Sequence, residues 1–309
     1  MTGGVWCAMI YKNFDELLVQ AAARARGGRT LAVVRPEDGN TLEAVVEARN
    51  KGGLDSILVG DRSSISSLLA GLGQDPEEFA IVPADSDEDA VCSAADLIAE
   101  GKAHMIMKGL VDTSVLMKTL FRERCNFRTG KLVSHMCFVQ IPGYHKLLVL
   151  TDIALNIAPG LEQKRAILEN AVAVMLRMGF DEPMVAVLAA NEHVSEKMPE
   201  TGDAAALKAM NREGVIRNCV VEGPLSYDLA ISSQVAAVKK CLNPVSGNVD
   251  LMLMPSIAAG NILLKALVYS AGARRAGIVV GGSVPMVLPS RAAIAGDKYL
   301  PMLLAAAAS

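Results

Sequence analysis

Met105-Ile106-Met107-Lys108-Gly109-Leu110-Val111-Asp112-Thr113-Ser114 passes from a short aliphatic run, through a glycine, into a polar turn that opens a helix. A strand that feeds directly into a helix is the half-unit from which parallel sheets are assembled. Towards the N-terminus the same alternation recurs: strands are expected at residues 30–34, 56–59, 80–82 and 105–107, and helices at 41–51, 63–72 and 87–100. The last of these helices carries a capping-box spacing, Ser86 followed three residues later by Asp89. Towards the C-terminus, residues 135–140 and 147–150 flank Pro142-Gly143 and read as two strands joined by a turn. Further strands are expected at 184–188, 220–221, 251–254, 277–280 and 286–288. The helices there are expected at 161–178, 204–212, 227–241, 262–270 and 297–308.

Composition agrees with an α/β protein. Of 309 residues, 51% are hydrophobic and 20% charged, enough to bury a core and too apolar for disorder. Thirty Lys and Arg against 33 Asp and Glu give a net charge of −3, so no general basic face for nucleic acid is expected. Aromatics at 4% argue against a base-stacking surface. The six cysteines contain no Cys-x-x-Cys pair and read as reduced thiols, and the four histidines lack metal-ligand spacing. No basic segment precedes the short apolar run of residues 5–11, so a signal peptide is not expected. The apolar region 251–288 is interrupted by Lys265, Arg274 and Arg275 and fails as a membrane span. A cytoplasmic protein is expected.

Four segments can carry chemistry. In the opening stretch, the first-turn amides of a helix starting near Asp112 point outward, and the hydroxyls of Thr113 and Ser114 join them. Lys108 and Lys118 place positive charge beside that turn, although ordinary capping by Asp112 and Thr113 explains the same residues. Asn126-Phe127-Arg128-Thr129-Gly130 offers Arg128, whose guanidinium pairs bidentately with phosphate, ahead of a strand bearing Ser134 and His135. A surface arginine in a turn is the plainer reading. Thr151-Asp152-Ile153-Ala154-Leu155-Asn156 sets Asp152 just past a strand end, where ligands collect in open α/β sheets and where helix-entry turns also sit. Finally, Pro289 stops a strand and delivers Ser290-Arg291, with Asp297 six residues beyond Arg291. Neither a Walker spacing, a Gly-x-Gly-x-x-Gly fingerprint nor a Gly-x-Ser-x-Gly elbow is present.

Together these segments resemble the phosphate acetyltransferase/phosphate butyryltransferase family, nearer its butyryl branch. The likeness starts at Asn13-Phe14-Asp15-Glu16-Leu17-Leu18 and Ile57-Leu58-Val59-Gly60-Asp61. It continues through the segments above, Lys197-Met198-Pro199, Glu222-Gly223-Pro224-Leu225-Ser226-Tyr227-Asp228 and the stretch from Pro255 to Asn261, and ends at Ser290-Arg291. The resemblance implies reversible acyl transfer between coenzyme A and inorganic phosphate by a homodimer or higher homo-oligomer. It implies two three-layer α/β domains with a cleft between them, similar to the isocitrate and isopropylmalate dehydrogenases. On this chain the first domain is expected at 1–132 and 278–309, with 133–277 inserted as the second.

Carried over residue by residue, the resemblance assigns Ser290, Arg291 and Asp297 to catalysis. Lys108, Thr113, Ser114, Lys118, Arg128, Thr129, Gly130, Ser134, Asp152 and Asn261 are expected to bind acyl-CoA, phosphate or acyl phosphate. Coenzyme A is a substrate. No metal or tightly bound cofactor is expected, because acyl-CoA and acyl phosphate are already activated, and neither membrane nor nucleic acid is an expected partner. Two rivals remain at this point: a non-catalytic acyl-CoA- or acyl-phosphate-binding module, and a metal- and NAD-dependent dehydrogenase of similar fold.

Overall fold

The computed structural model of the chain describes residues 11–25, 28–289 and 295–309. These form two units, one of residues 15–133 and 276–309, the other of residues 11–14 and 134–275. After α1 (Phe14–Ala25) the first unit alternates β1 (Thr30–Val34), α2 (Gly39–Gly52), β2 (Asp55–Gly60), α3 (Arg62–Gly71), β3 (Ala80–Pro83), α4 (Asp87–Ala99), β4 (Met105–Lys108) and α5 (Thr113–Leu120). The second unit follows with β5 (Ser134–Gln140), β6 (Leu148–Thr151), α6 (Leu161–Arg177), β7 (Met184–Leu188), α7 (Pro199–Arg212) and β8 (Val220–Leu225). It is completed by α8 (Tyr227–Ile231), α9 (Ser233–Val238), β9 (Leu251–Leu253) and α10 (Ile257–Ala271). The chain returns through β10 (Arg274–Val280), β11 (Met286–Val287) and α11 (Ala295–Ala308).

In the first unit the strand order is β3-β2-β1-β4-β11-β10. The first five are parallel and β10 runs against β11, with Val279 opposite Met286. Leu31, Ala32, Val33 and Val34 are fully buried, the continuous apolar run expected of a strand covered on both faces. The helices between are set by local chemistry. Asp38, Asp61 and Ser86 accept from the backbone N–H groups of Thr41, Ser64 and Asp89, capping α2, α3 and α4. Asp87, Glu88 and Asp89 then place negative charge at the positive end of α4. The buried Lys298 of α11 donates to Asp38 Oδ1 at 3.1 Å and Thr41 Oγ1 at 2.8 Å, tying the last helix to the cap of α2.

The order of strands reverses at β1, which has β2 on one side and β4 on the other. Ligand-bearing loops of open sheets diverge at such a point. Gly109 sits there, its N–H bonded to Val34 O at 2.7 Å, and the next N–H, of Leu110, reaches Arg35 O at 2.7 Å. A Cβ at Gly109 would lie 2.0 Å from Arg35 O, so only glycine lets the two backbones approach this closely.

The second unit has the order β5-β6-β9-β7-β8, with β5 antiparallel to β6 and the other pairs parallel. Residues 11–14 pack here and not with the first unit, where the expected range 1–132 had put them. Tyr11 O accepts from Leu147 N–H at 2.8 Å, Tyr11 OH donates to Met178 O at 2.6 Å, and Phe14 N–H donates to Gln140 Oε1 at 3.0 Å. Elsewhere the differences are local. The single helix expected at 227–241 is two, broken at Ser232, whose hydroxyl caps α9 by accepting from Val235 N–H. β8 runs through Gly223-Pro224, which its place at the end of the order allows, since an edge strand needs fewer N–H donors. α7 starts earlier than expected, with Pro199 as its first residue.

Replacing Gly109 by alanine should therefore force β1 and β4 apart at their ends. We expect a loss of about 1–3 kcal/mol in urea unfolding, as for other overpacked sites, while Gly130→Ala, with nothing within 4 Å of its Cβ position, should lose only what its φ of +77° costs.

Candidate active site

β4 and β11 are parallel neighbours, with Met286 opposite Ile106 and Val287 opposite Met107. Their C-terminal ends therefore emerge side by side from the first unit's sheet. From β4 leaves the Lys108-Gly109 turn, and from β11 leaves Leu288-Pro289, leading to Ser290-Arg291. Ser290 and Arg291 themselves lie outside the described residues, and Asp297 belongs to the first turn of α11 with its side chain outside the description. The segment that holds them is bracketed by described structure: Val287 in the sheet on one side, Lys298 on Asp38 and Thr41 on the other. Burial works to raise the pKa of Asp38, but the hydrogen bonds from Thr41 and Lys298 outweigh it and hold the carboxyl below its ordinary value.

Lys108 is buried, and its ammonium donates to Gly109 O and Val111 O at 3.0 Å each. It thus braces its own turn. Beyond it Thr113 and Ser114 are exposed at the start of α5, and Lys118, also exposed, lies four residues after Ser114 and so on the same helix face. Phe121 caps the helix, and the Arg128 guanidinium stands over its ring at 5.6 Å from the centroid. That stack rests in turn on Phe127, edge-on to Phe121 at 6.1 Å, with the Phe127 ring filling the space a Cβ of Gly282 would take. Thr129 donates from Oγ1 to Gly281 O at 2.6 Å, and Gly130 follows at φ +77°. The Arg128 turn is thereby fastened to the connection between β10 and β11, a link that no spacing in the sequence announces. Nearby, Arg122 grips Glu88 with both terminal nitrogens, at 2.7 and 2.9 Å.

The other expected residues lie in the second unit. Ser134 is fully buried and accepts from Asn170 Nδ2 at 3.2 Å. Asp152 is buried too, and four donors surround its carboxylate. Oδ1 accepts from the N–H groups of Ala154 and Leu155 at 2.8 and 3.0 Å, and Oδ2 from His135 N–H at 3.1 Å and Asn156 Nδ2 at 2.6 Å. Asp152 thereby shapes the loop that leaves β6. Asn261 of α10 donates to the same loop, at Ile153 O, 3.4 Å away. The loops leaving β6 and β9, with the first turns of α6 and α7, line an open cavity of about 380 Å³ that includes Pro159, Lys164, Glu200 and Pro255. This cavity was not expected from the sequence.

His135 is a further residue that sequence reasoning did not assign. Its Nδ1 is buried without a hydrogen-bond partner among the described residues. Burial, opposed by Asp152 and assisted by Arg275, pushes the imidazole pKa down to about 4, so the ring is neutral at pH 7.

Residues 85–306 match the family described as phosphate acetyl/butaryl transferase. The chain is 38% identical to the phosphate butyryltransferase of Clostridium acetobutylicum, over 96% of this chain and 97% of that one. It is 37% identical to the phosphate acetyltransferase of Thermotoga maritima, over 95% and 99% of the two chains. Among solved structures, a branched-chain phosphotransacylase from Enterococcus faecalis superposes with a TM-score of 0.80 at 28% identity, covering 90% of this chain and 98% of that one.

The buried imidazole has a consequence for stability. Between pH 6.5 and about 4 the unfolded chain binds a proton at His135 that the folded chain refuses. Its contribution is unchanged above pH 6.5, and stability falls as pH drops through that window, by up to about 3 kcal/mol. Urea unfolding of His135→Asn from pH 7.5 to 4 should show a shallower acid decline than the parent.

Proposed function

The chain belongs to the phosphate acetyl/butyryl transferase family, and we propose that the acyl group it moves between coenzyme A and inorganic phosphate is butyryl or acetyl. It is a phosphate acyltransferase: acyl-CoA and phosphate give acyl phosphate and CoA, reversibly. The observation that carries the site reading is the β4–β11 ladder, because it sends the Lys108-Gly109 turn and the chain towards Ser290 out of one edge of the sheet.

In the direction of acyl-CoA formation the thiol of CoA must lose its proton as sulfur attacks the acyl-phosphate carbonyl. A thiol of pKa about 8.5 facing an ordinary aspartate of about 3.9 makes that transfer roughly 6 kcal/mol uphill. Asp297 serves as the base only if its surroundings raise its pKa or if the developing charge is stabilised elsewhere. In this reading Arg291 supplies the second effect and stabilises the developing oxyanion, while Ser290 hydrogen-bonds the reacting group. A permanent Arg291–Asp297 pair would work against the first, by lowering the carboxylate pKa. Phosphate is held by Lys118, Arg128 and the Thr113-Ser114 turn. Support comes from two features: Ser114 and Lys118 share one face of α5, and Arg128 is stacked in place on Phe121. Lys108 acts by holding the turn in shape.

The protein is further read as a cytoplasmic homodimer. No helix among the described residues is long and apolar enough to cross a membrane. α10 exposes Ile262 and Tyr269, 68% and 81% accessible, two turns apart on one face, which suits an interface between copies. In that case Tyr269→Glu should lower the mass seen by light scattering.

The deciding assay is phosphate-dependent release of CoA from acetyl-, propionyl-, butyryl- and branched acyl-CoA, run beside nicotinamide reduction. Turnover without nucleotide is expected, and binding without turnover would instead make the chain an acyl-CoA sensor. Arg291→Gln should cost about 10²–10³ in kcat, as loss of an oxyanion donor does, and Asp297→Asn about 10²–10⁴. If both variants kept near-parental turnover, these roles would be wrong.

A further inference from the structure

Two cysteines that the chemistry above leaves unused lie against each other in the first unit. Cys92 is in the middle of α4, and Cys125 ends the short 3-10 turn Glu123–Cys125 that follows α5. Their sulfurs are 3.9 Å apart, although 33 residues separate them in sequence. At 5% and 6% exposure the pair is covered but not sealed, and both thiols are free. The same two elements are joined a second time. One helical turn before Cys92, Glu88 is gripped by Arg122, the residue that opens the 3-10 turn. Beyond Cys125 the chain turns at Asn126, with φ +46°, and reaches Phe127, whose carbonyl accepts from Ser283 N–H at 3.1 Å. Cys125 is thus strung between two anchors, and Arg128 lies just past the second.

We propose that Cys92 and Cys125 close into a reversible disulfide when the protein meets a peroxide, and that this bond weakens the hold on phosphate by pulling on the turn that carries Arg128. The second half rests on the reading of Arg128 as a phosphate contact. Burial, assisted by Cys92, pushes the Cys125 thiol up to about 11, so the proton the pair retains stays on Cys125 and the attacking sulfur is that of Cys92. That thiolate attacks one peroxide oxygen, the O–O bond breaks, and the departing hydroxide takes up a proton and leaves as water. The Cys125 sulfur then attacks the sulfenic sulfur of Cys92, the S–O bond breaks, and the Cys125 proton leaves with that hydroxide as a second water. Two thiols are oxidised to one disulfide, and one peroxide is reduced to two waters. A disulfide needs its sulfurs about 2.05 Å apart, so the present contact shortens by roughly half. With Arg122 held by Glu88 and Phe127 O held by Ser283, the shift falls on residues 125–128. There the Phe127 ring supports the Phe121 ring over which Arg128 stands. In a reducing compartment such a bond is transient and reports oxidation.

The test is treatment of the full chain with hydrogen peroxide, followed by peptide mass mapping without reduction. A linked pair joining the Cys92 and Cys125 peptides is expected. The KM for phosphate should rise about tenfold, what one hydrogen bond to a charged group contributes, while the KM for acyl-CoA is kept. The melting temperature should hold or rise, and dithiothreitol should restore the parent values. Cys92→Ala and Cys125→Ala should each keep the activity of the reduced parent and lose the response to peroxide. Because reversal by dithiothreitol is read on the parent itself, the comparison survives if either variant packs poorly. A linked pair with an unchanged KM for phosphate, sulfinic acid at Cys92 without linkage, or a lowered melting temperature would each overturn the proposal. Calorimetric titration with inorganic phosphate, on reduced and oxidised protein, repeats the comparison without turnover. A chain that released no CoA yet bound phosphate more weakly when oxidised would sink the acyltransferase reading and support the switch. An active chain in which no Cys92–Cys125 bond forms would sink the switch alone.

Discussion

Two rungs of backbone ladder, Met286 beside Ile106 and Val287 beside Met107, join residues on opposite sides of the inserted unit in sequence. The site reading depends on them. Parallel strands share a direction, so a segment that joins the sheet beside β4 must leave at the same edge as β4. That geometry makes Leu288, the residue after β11, leave the sheet at the same edge as the Lys108-Gly109 turn. The Lys298 contact with Asp38 and Thr41 fixes the far end of the same segment. Few contacts are involved, but each is buried and charge-assisted or part of a ladder, the kinds whose loss leaves an unpaired group.

Within each unit the polar residues divide by what satisfies them. Lys108, Ser134, Asp152 and Thr129 are engaged by their own chain: Lys108, Asp152 and Thr129 brace turns, and Ser134 of β5 pairs with Asn170 of α6. Thr113, Ser114, Lys118 and Arg128 are exposed, and only Arg128 is held by a ring beneath it. The division matters electrostatically. A buried ammonium with carbonyl partners contributes a fixed field at little reorganisation cost, while exposed cations supply the mobile contacts an incoming anion needs. The near-neutral overall charge is thus compatible with a strong local field, positive along α5.

Much of this was legible in the sequence, because parallel strands covered on both faces show as uninterrupted aliphatic runs. Residues 30–34 and 184–188 were found at their observed limits. The misses came where a local signal and a tertiary contact disagree. Gly223-Pro224 looks like a terminator yet sits within an edge strand. Residues 227–241 are helix-like throughout, but Ser232 offers its hydroxyl as a cap and divides them. α1 was seen only as part of a family likeness. Asp152 announced itself as polar and near a strand end, which was correct, but its four donors come from residues 135 to 156 and no spacing rule gathers them. The cavity beside Lys164 was invisible for the same reason: its walls come from four separate stretches of chain.

The split of the first unit also orders its birth. During synthesis every residue of 134–275 emerges before β11 and α11 exist. The second unit can fold as a whole on the ribosome while the first waits, with β4 lacking its neighbour β11 and the cap of α2 lacking Lys298. Its apolar strands must therefore be protected for the whole of that interval, and the protein gains the segment bearing Ser290 only after the whole of 134–275 has emerged. A nascent chain stalled before β10 would carry a finished second unit and an incomplete first.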